Sequence, residues 1–466
     1  MHHAETQAGR SPERSGALPA QGKRAFLGRH APGDIGFTHV VSGYGCHADV
    51  IPTLAGPCGR IVAAQTVREG SSSMSGLPGV IPEIQDEAEE FVTLRQRIHA
   101  HPELGFEEQV TSRLVIEKLT EWGYEVTTGI GETGVVARLR AGTSPRSVGI
   151  RADMDALPIH EETGLPYAST QPGKMHACGH DGHTAILLAA AKHLARTRNF
   201  DGTLNLVFQP AEEGRGGAAR MIAEGLFERF PMDALFGLHN GPTLPVGTFI
   251  VQPGVLAASS DTVRITLTGK GTHGGMPQMG VDPIVAAASI VMALQTIVSR
   301  NIGPDQPAVV TVGAIHAGEA ANVVPETATL AITVRTFDVA VQRQIEQRLR
   351  EIVTAQALSF GVKADIEWTS NSRVLVNTAP EAAIARKVAE SMVGPRALLP
   401  VPSGSMGGDD FSWFLEKVPG CYIVVGNGVG MEGGCMIHNP GYDFNDRILP
   451  LAASYWVRLA EEFLHV

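Results

Sequence analysis

Two hydrophobic periods divide this chain. Apolar residues recur at helical spacing over 83–99 and 109–122, then give way to short apolar runs at 135–140 and 147–151 that read as strands. From there the two patterns alternate: helix at 184–197, strand at 203–208, helix at 217–225, strand at 234–238. Such alternation predicts an α/β unit built on a mostly parallel sheet covered on both faces. Near residue 258 the pattern changes. Thr262-Val-Arg-Ile-Thr-Leu-Thr268 alternates as a half-exposed strand does. An apolar-faced helix follows at 282–300, with Pro283 acceptable in its first turn. Strands at 308–315 and 327–335, an amphipathic helix at 341–358 and a strand at 363–368 complete the set. The order β-α-β-β-α-β is ferredoxin-like and complete in itself, so residues 259–371 read as an inserted α+β domain. The chain then returns to the first unit through a helix at 381–392, a strand at 421–425 and a helix at 450–464. The predicted division is 74–258, 259–371 and 372–466. Residues 1–73 show no sustained period and read as a disordered extension or a mis-assigned start; residues 1–16 lack the apolar core of a signal peptide.

Composition narrows the function classes. The 466 residues suffice for two substantial cores. The net charge is -11 and no basic stripe is interleaved with aromatics, so nucleic acid is not an expected partner. The sequence reading finds no apolar run of the roughly 18–20 residues that span a bilayer, and expects no membrane association. The five cysteines are odd in number and irregularly spaced, which argues for a reducing compartment, the cytoplasm.

The chemistry concentrates in His176-Ala-Cys-Gly-His-Asp-Gly-His183, at the entrance to a helix. Thiolate and neutral imidazole hold borderline-soft divalent cations, and Cys178 and His180 can bind one ion or bridge two. His183, inside the helix start, reads as a packing or hydrogen-bonding residue. Phe208-Gln-Pro-Ala-Glu-Glu-Gly214 follows a predicted strand. Of adjacent carboxylates, one can bind metal while the other stays free as a general base. His239 ends another apolar run, and His438 lies in a loop near the C-terminus, with Cys435 a second-choice donor. Cys178, His180, Glu213, His239 and His438 outnumber the ligands of one tetrahedral ion and suit two ions sharing a bridge. On the residues alone, Glu212 and Glu213 can exchange roles. Asp155, just beyond a strand, is a candidate partner orienting a ligand histidine; Asp153 is open between that and a solvated turn.

Seven motifs carry a resemblance. Arg97-Ile-His-Ala-His-Pro-Glu-Leu-Gly105, Arg151-Ala-Asp-Met-Asp-Ala-Leu-Pro158, His176-Ala-Cys-Gly-His-Asp-Gly-His-Thr184, Phe208-Gln-Pro-Ala-Glu-Glu-Gly214, Gly269-Lys-Gly-Thr-His273, Ala321-Asn-Val-Val-Pro325 and His438-Asn-Pro-Gly-Tyr-Asp-Phe-Asn-Asp446 occur in this order. From about residue 81 onward the chain resembles the M20 metallopeptidases, in the branch of bacterial hippurate hydrolases and plant auxin-conjugate amidohydrolases.

The resemblance implies an amidohydrolase with two divalent ions per subunit (Mn, Zn, Co or Ni), acting on small N-acyl amino acids. By motif position it makes Cys178, His180, Glu213, His239 and His438 the metal ligands and Glu212 the general base. It makes His273 a donor to the tetrahedral oxyanion, reaching a neighbouring subunit's site in dimeric relatives, and the inserted domain a lid and dimerisation unit of a homodimer or homotetramer. It puts Asn322 near substrate. Arg335 can pair with a substrate carboxylate, or serve as a strand-end charge. Asp410, in Met406-Gly-Gly-Asp-Asp-Phe-Ser412, is expected behind the ligands. The chain departs from the family pattern after His239-Asn240, where an aromatic is lacking, and over 368–377, which lacks Gly-Tyr-Pro. Both bear on the substrate rather than the reaction. The same centre would also serve a dipeptidase or carboxypeptidase, and a silent metal-binding scaffold is the alternative from another class.

Overall fold

The apolar runs of the outer unit become one sheet and its covering helices. The computed structural model describes residues 76–400, 405–429 and 435–465; the expectation for residues 1–73 lies outside them. The first part of the chain forms α1 (Pro82–Asp86), α2 (Ala88–His99), α3 (Gln109–Glu121), β1 (Glu125–Thr128), β2 (Val135–Ala141), β3 (Ser147–Asp153), α4 (His180–Thr197), β4 (Gly202–Gln209), α5 (Gly217–Ala223), α6 (Leu226–Arg229), β5 (Ala234–Pro242), β6 (Phe249–Ile250) and β7 (Gly254–Ala257). The inserted part forms β8 (Ser259–Thr268), β9 (Thr272–His273), α7 (Pro283–Thr296), β10 (Ala308–Ala317), β11 (Val323–Val324), β12 (Thr327–Thr336), α8 (Val339–Ser359) and β13 (Lys363–Ser372). The returning part forms β14 (Leu375–Asn377), α9 (Ala379–Val393), α10 (Phe411–Leu415), β15 (Gly420–Gly428) and α11 (Leu449–Phe463).

The larger sheet has the order β1-β2-β4-β3-β5-β15-β6. It is mixed rather than mostly parallel. Only β3–β4, β3–β5 and β5–β15 are parallel, while β1–β2, β2–β4 and β6–β15 are antiparallel. Parallel neighbours need a long crossover, and α4 and the α5–α6 pair supply these on either side of β4. The short links around β2 and β6 permit antiparallel pairing.

Alternation along the strands builds two cores. Leu204, Leu206 and Phe208 of β4 face a core shared with α2, α3, α4, α9 and α11. Val207 faces the other way, with Val136 and Leu235, onto Met221, Leu226, Phe411 and Phe414. β3 is buried along its whole length, so it accepts Arg151 only because every guanidinium nitrogen has a partner. Nε donates to Gln209 Oε1 (2.8 Å), Nη1 to Asp153 Oδ2 (2.6 Å) and Nη2 to Asp409 Oδ1 (3.3 Å). Breaking such a buried charged pair costs about 3–5 kcal/mol, more than the roughly 1.5–3 kcal/mol from burying one Val or Leu.

The inserted part forms a separate four-stranded antiparallel sheet, β10-β12-β8-β13, the ferredoxin-like order. Its core joins Val263, Ile265, Leu267, Leu330 and Ile332 to Ile290 and Leu349 of α7 and α8. One detail of the sequence reading is corrected here: among the described residues, one helix does reach the length and apolar character of a membrane span by composition. It is the α7 segment through Asn301, with mean hydropathy 1.5 over its best window and only 33% of that window buried. Ile284, Val285 and Met292 stand exposed on it.

Candidate active site

The candidate donors gather where parallel strands end, the usual place for sites in open α/β sheets. Gly179 precedes α4 in a left-handed conformation, φ 95°. A Cβ there would collide with the Asn240 amide and lie 2.8 Å from Tyr442 Oη, so only glycine lets the helix start this close to β5. The helix begins at His180, a turn earlier than its apolar period suggests, because that turn is polar and lines the site. His180 Nδ1 donates to the Asp155 carbonyl (2.9 Å), with Asp155 Oδ1 at 3.3 Å. This leaves the buried Nε2 without a hydrogen-bond partner.

His239 lies inside β5, paired with Val424, rather than at its end. Its Nδ1 donates to the Asn240 carbonyl (2.7 Å), which turns Nε2 toward Cys178 Sγ at 3.3 Å. Glu212 and Glu213 follow Ala211, a non-glycine residue at φ 55°. The Glu213 amide donates to Asp155 Oδ2 (2.9 Å), so Asp155 steadies both His180 and the glutamate turn. Glu213 Oε1 meets His438 Nε2 at 3.1 Å. His438 also has positive φ, 61°, and its amide is tied to the Ala177 carbonyl at 2.7 Å. Two left-handed non-glycine residues beside the same cluster mark it as a place where backbone strain is tolerated.

Among the donor groups whose atoms lie within 4.8 Å of one another, two contain the thiol, Cys178–His180–His239 and Cys178–Glu213–His438. They share the Cys178 thiol, so the donors present would suit two neighbouring cations. The donor set fits borderline divalent ions in chemistry as well as position. Burial would lower the His180 pKa, but Asp153 and Asp155 raise it to about 10, so positive charge is favoured at this ring. Burial, with Glu213 and Glu212 nearby, pushes the Cys178 thiol well above its ordinary range, and a cation is what would hold its thiolate. Burial and His183 push His239 down to about 3, leaving it neutral and able to ligate.

Glu212 belongs to two groups, one with His180 and Glu213 at the edge of the donor cluster and one with Asp409 and Asp410. Its Oε1 accepts from the Asp410 amide at 3.3 Å. Burial, Asp409, Glu213 and Asp410 all push its pKa upward, toward a carboxyl able to hold a proton. Asp410 is itself held by Gln209 Nε2 (2.6 Å) and the Ala218 amide (2.9 Å). His183 bridges Asp153 Oδ1 (2.6 Å) and Asn240 Oδ1 (2.8 Å), which makes it a hydrogen-bonding residue and gives Asp153 a partner.

The remaining candidates lie elsewhere. His273 is exposed on β9, opposite Val323 of β11, and its Nδ1 accepts from the Gly275 amide at 3.0 Å. Asn322 is beside it, its carbonyl accepting from the Gly274 amide at 2.7 Å. Arg335 is half-buried on β12, its Nε donating to Thr333 Oγ1 at 3.4 Å; burial lowers its pKa and Asp261 opposes that. Cys435 is free.

The profile of Peptidase family M20/M25/M40 matches residues 149–462, more than half of the chain. The chain belongs to this family. Hippurate hydrolase of Campylobacter jejuni is 44% identical over 385 residues, 83% of this chain and 99% of that enzyme. N-acetyl-L-cysteine deacetylase of Bacillus subtilis is 38% identical over 79% of this chain and 86% of its own length. The crystal structure of a dinuclear metal-binding M20 peptidase from Bacillus subtilis superposes with a TM-score of 0.68 at 33% identity, covering 82% of this chain and 99% of that one. This M20 protein is thus a metal-dependent amidohydrolase with the architecture of a dinuclear divalent-metal site.

Sequence reasoning missed the supports of this M20 site. Arg151 ties Asp153 to Asp409, whose other oxygen accepts from Tyr422 Oη. His99 and Arg95 both reach the buried Asp181, at 2.8 and 3.4 Å. Asn240 donates to Tyr442 Oη at 2.6 Å. All but Arg95 and Tyr422 sit inside stretches quoted above; what no stretch supplied was the pairing.

Proposed function

We propose that this chain hydrolyses N-acyl amino acids of the hippurate or N-acetyl type, releasing a carboxylic acid and a free amino acid. The reading rests on one observation above the rest: Glu212, its Oε1 accepting from the Asp410 amide, stands against a donor cluster that shares the Cys178 thiol. The similarity to hippurate hydrolase over nearly that enzyme's whole length supports the substrate class.

In this scheme Cys178, His180, Glu213, His239 and His438 hold two divalent ions, with Zn, Mn, Co and Ni all compatible with sulfur, nitrogen and oxygen donors. When bound, such ions polarise an amide carbonyl and acidify water. Glu212, steadied by the Asp410 amide, takes the proton of the attacking water and passes it to the departing nitrogen. Asp155 fixes the His180 tautomer through Nδ1, keeping Nε2 directed into the cluster. Asn322 and Arg335 are proposed substrate contacts, Arg335 for the free carboxylate of the amino acid.

Residues 74–258 and 372–466 then form the catalytic domain and 259–371 the lid. The exposed apolar side chains of α7 and the open edge of β10 favour a second copy of this chain as their cover, giving a homodimer or a tetramer of such pairs. His273 and Asn322, exposed on the β9–β11 turn, serve the partner's site in this reading. The free cysteines suit the cytoplasm.

Assaying chelated protein refilled separately with each metal against hippurate, N-acetyl amino acids, auxin conjugates and unblocked dipeptides tests the assignment. Acyl amino acids are expected to be cleaved with the highest kcat/KM; a preference for unblocked dipeptides would make the enzyme a dipeptidase. Cys178→Ala and His239→Ala are expected to lower metal occupancy before anything else. A full metal complement by elemental analysis in both variants would overturn the ligand set.

A further inference from the structure

A cavity of about 750 Å³ opens at the other end of the catalytic sheet. Its walls include Arg138, Arg140, Arg198 and Arg229 against only two carboxylates, Glu125 and Glu228. Such a cationic surplus is unusual on a chain whose net charge is -11. Strand register explains its floor. Arg140 pairs with Thr203 and Thr203 with Ser147, and in the next row but one Arg138 pairs with Asn205 and Asn205 with Gly149. Residues in register share a face, so these polar side chains all leave the sheet on the side opposite Leu204 and Leu206, toward the cavity.

The arginines are not equivalent. Arg138 donates to the Arg229 carbonyl at 2.9 Å, lies 3.7 Å from Glu125 and stacks over Phe230. Arg229 stacks on the same ring. Arg140 and Arg198 are exposed, and among the described residues neither has a carboxylate within 4 Å; Arg198 makes only a 3.4 Å contact to the Ala195 carbonyl.

Asn205 supplies the second, independent observation. It is 1% exposed, and neither its Oδ1 nor its Nδ2 has a hydrogen-bond partner. Replacing such a group by an apolar one normally favours folding, so an asparagine kept beneath a cationic cavity points to a ligand that uses it. Forked guanidinium groups, a hydroxyl and an amide together recognise a small oxyanion.

We propose that this cavity binds a phosphate or carboxylate anion between Arg140 and Arg198, over Thr203 and Asn205. The β3 and β4 strands separate it from the donor cluster by roughly 20 Å at about 3.3 Å per residue.

Calorimetric titration of the metal-loaded full-length protein with inorganic phosphate, and separately with succinate, tests this. Saturable binding of either probe is expected in the wild type. Saturation by phosphate alone identifies a tetrahedral ligand, and by succinate alone a carboxylate. The Arg140→Ala/Arg198→Ala double variant, altered only at exposed side chains, is expected to bind about tenfold more weakly or worse. In Asn205→Leu the melting temperature without anion is expected to hold or rise, while the anion-induced rise shrinks. An isotherm unchanged in the arginine double variant would mean that any binding is to the metal centre or non-specific, and would overturn the proposal. So would the absence of saturable binding of both probes below about 10 mM. If Asn205→Leu fails to fold, the arginine arm alone decides.

Discussion

Glu212→Gln is expected to keep its metal and lose turnover by about 10²–10⁴-fold, the range for removing a general base. The amide side chain is nearly the same shape and can still accept from the Asp410 amide through its remaining oxygen. It cannot take a proton from water. Glu213, one residue on, is engaged with His438 at 3.1 Å and with the group around Cys178, so it is not free to substitute. The measurement is kcat beside elemental analysis of the same preparation. Wild-type turnover in a fully metallated variant would remove Glu212 from the mechanism. Loss of metal together with activity would instead place Glu212 among the ligands and exchange its role with that of Glu213.

The second large effect concerns subunits. His273→Ala and Glu212→Gln are each expected to be inactive alone and to regain activity when mixed. If His273 serves the partner, a heterodimer has one site with an intact Glu212 and a donated His273, and one site with neither. Random exchange of equal amounts then restores about a quarter of the wild-type sites, given a two-fold dimer. If His273 acts within its own subunit, every site in the mixture carries one defect and no activity returns. The arrangement in the single chain favours exchange, since the hydrogen bonds of His273 and of neighbouring Asn322 stay within the small β9–β11 turn. Failure of rescue after verified subunit exchange would return His273 to its own site or to a structural role.

The donor cluster was legible because its residue types are chemically scarce and most follow apolar runs or open a helix. Cysteine beside histidine, then paired glutamates, then single histidines after apolar runs, together name a cation site before any fold is known. The inserted sheet was legible for a different reason: β8 and β12 alternate cleanly, with one face buried and the other open. Strand polarity was not legible. Nothing in the residues of β2 says that it runs against β4; that follows from the short link that reverses the chain from β2 into β3 and from α4, which returns it to β4 parallel to β3. His239 looked like a strand end because apolar character stops at Leu238, yet backbone pairing with β15 continues through Gly241. Arg151 was unreadable as a keystone because two of its three partners, Gln209 and Asp409, come from distant segments. The exposed apolar side of α7 was missed because composition alone does not tell a buried helix from an open one.

His438 arrives late. The other four proposed ligands are in place once residue 239 has been made, and a whole inserted sheet is synthesised before residue 438 follows. Its amide then latches onto the Ala177 carbonyl, next to Cys178. A growing chain can offer a passing ion an open, incomplete nest, from which the ion departs readily. Tight retention begins only when the last segment closes over it. With His438 the proposed last ligand, metal content would become a record of completion: a chain cut short anywhere before residue 438 is expected to hold its ions less tightly, however well its earlier parts have folded.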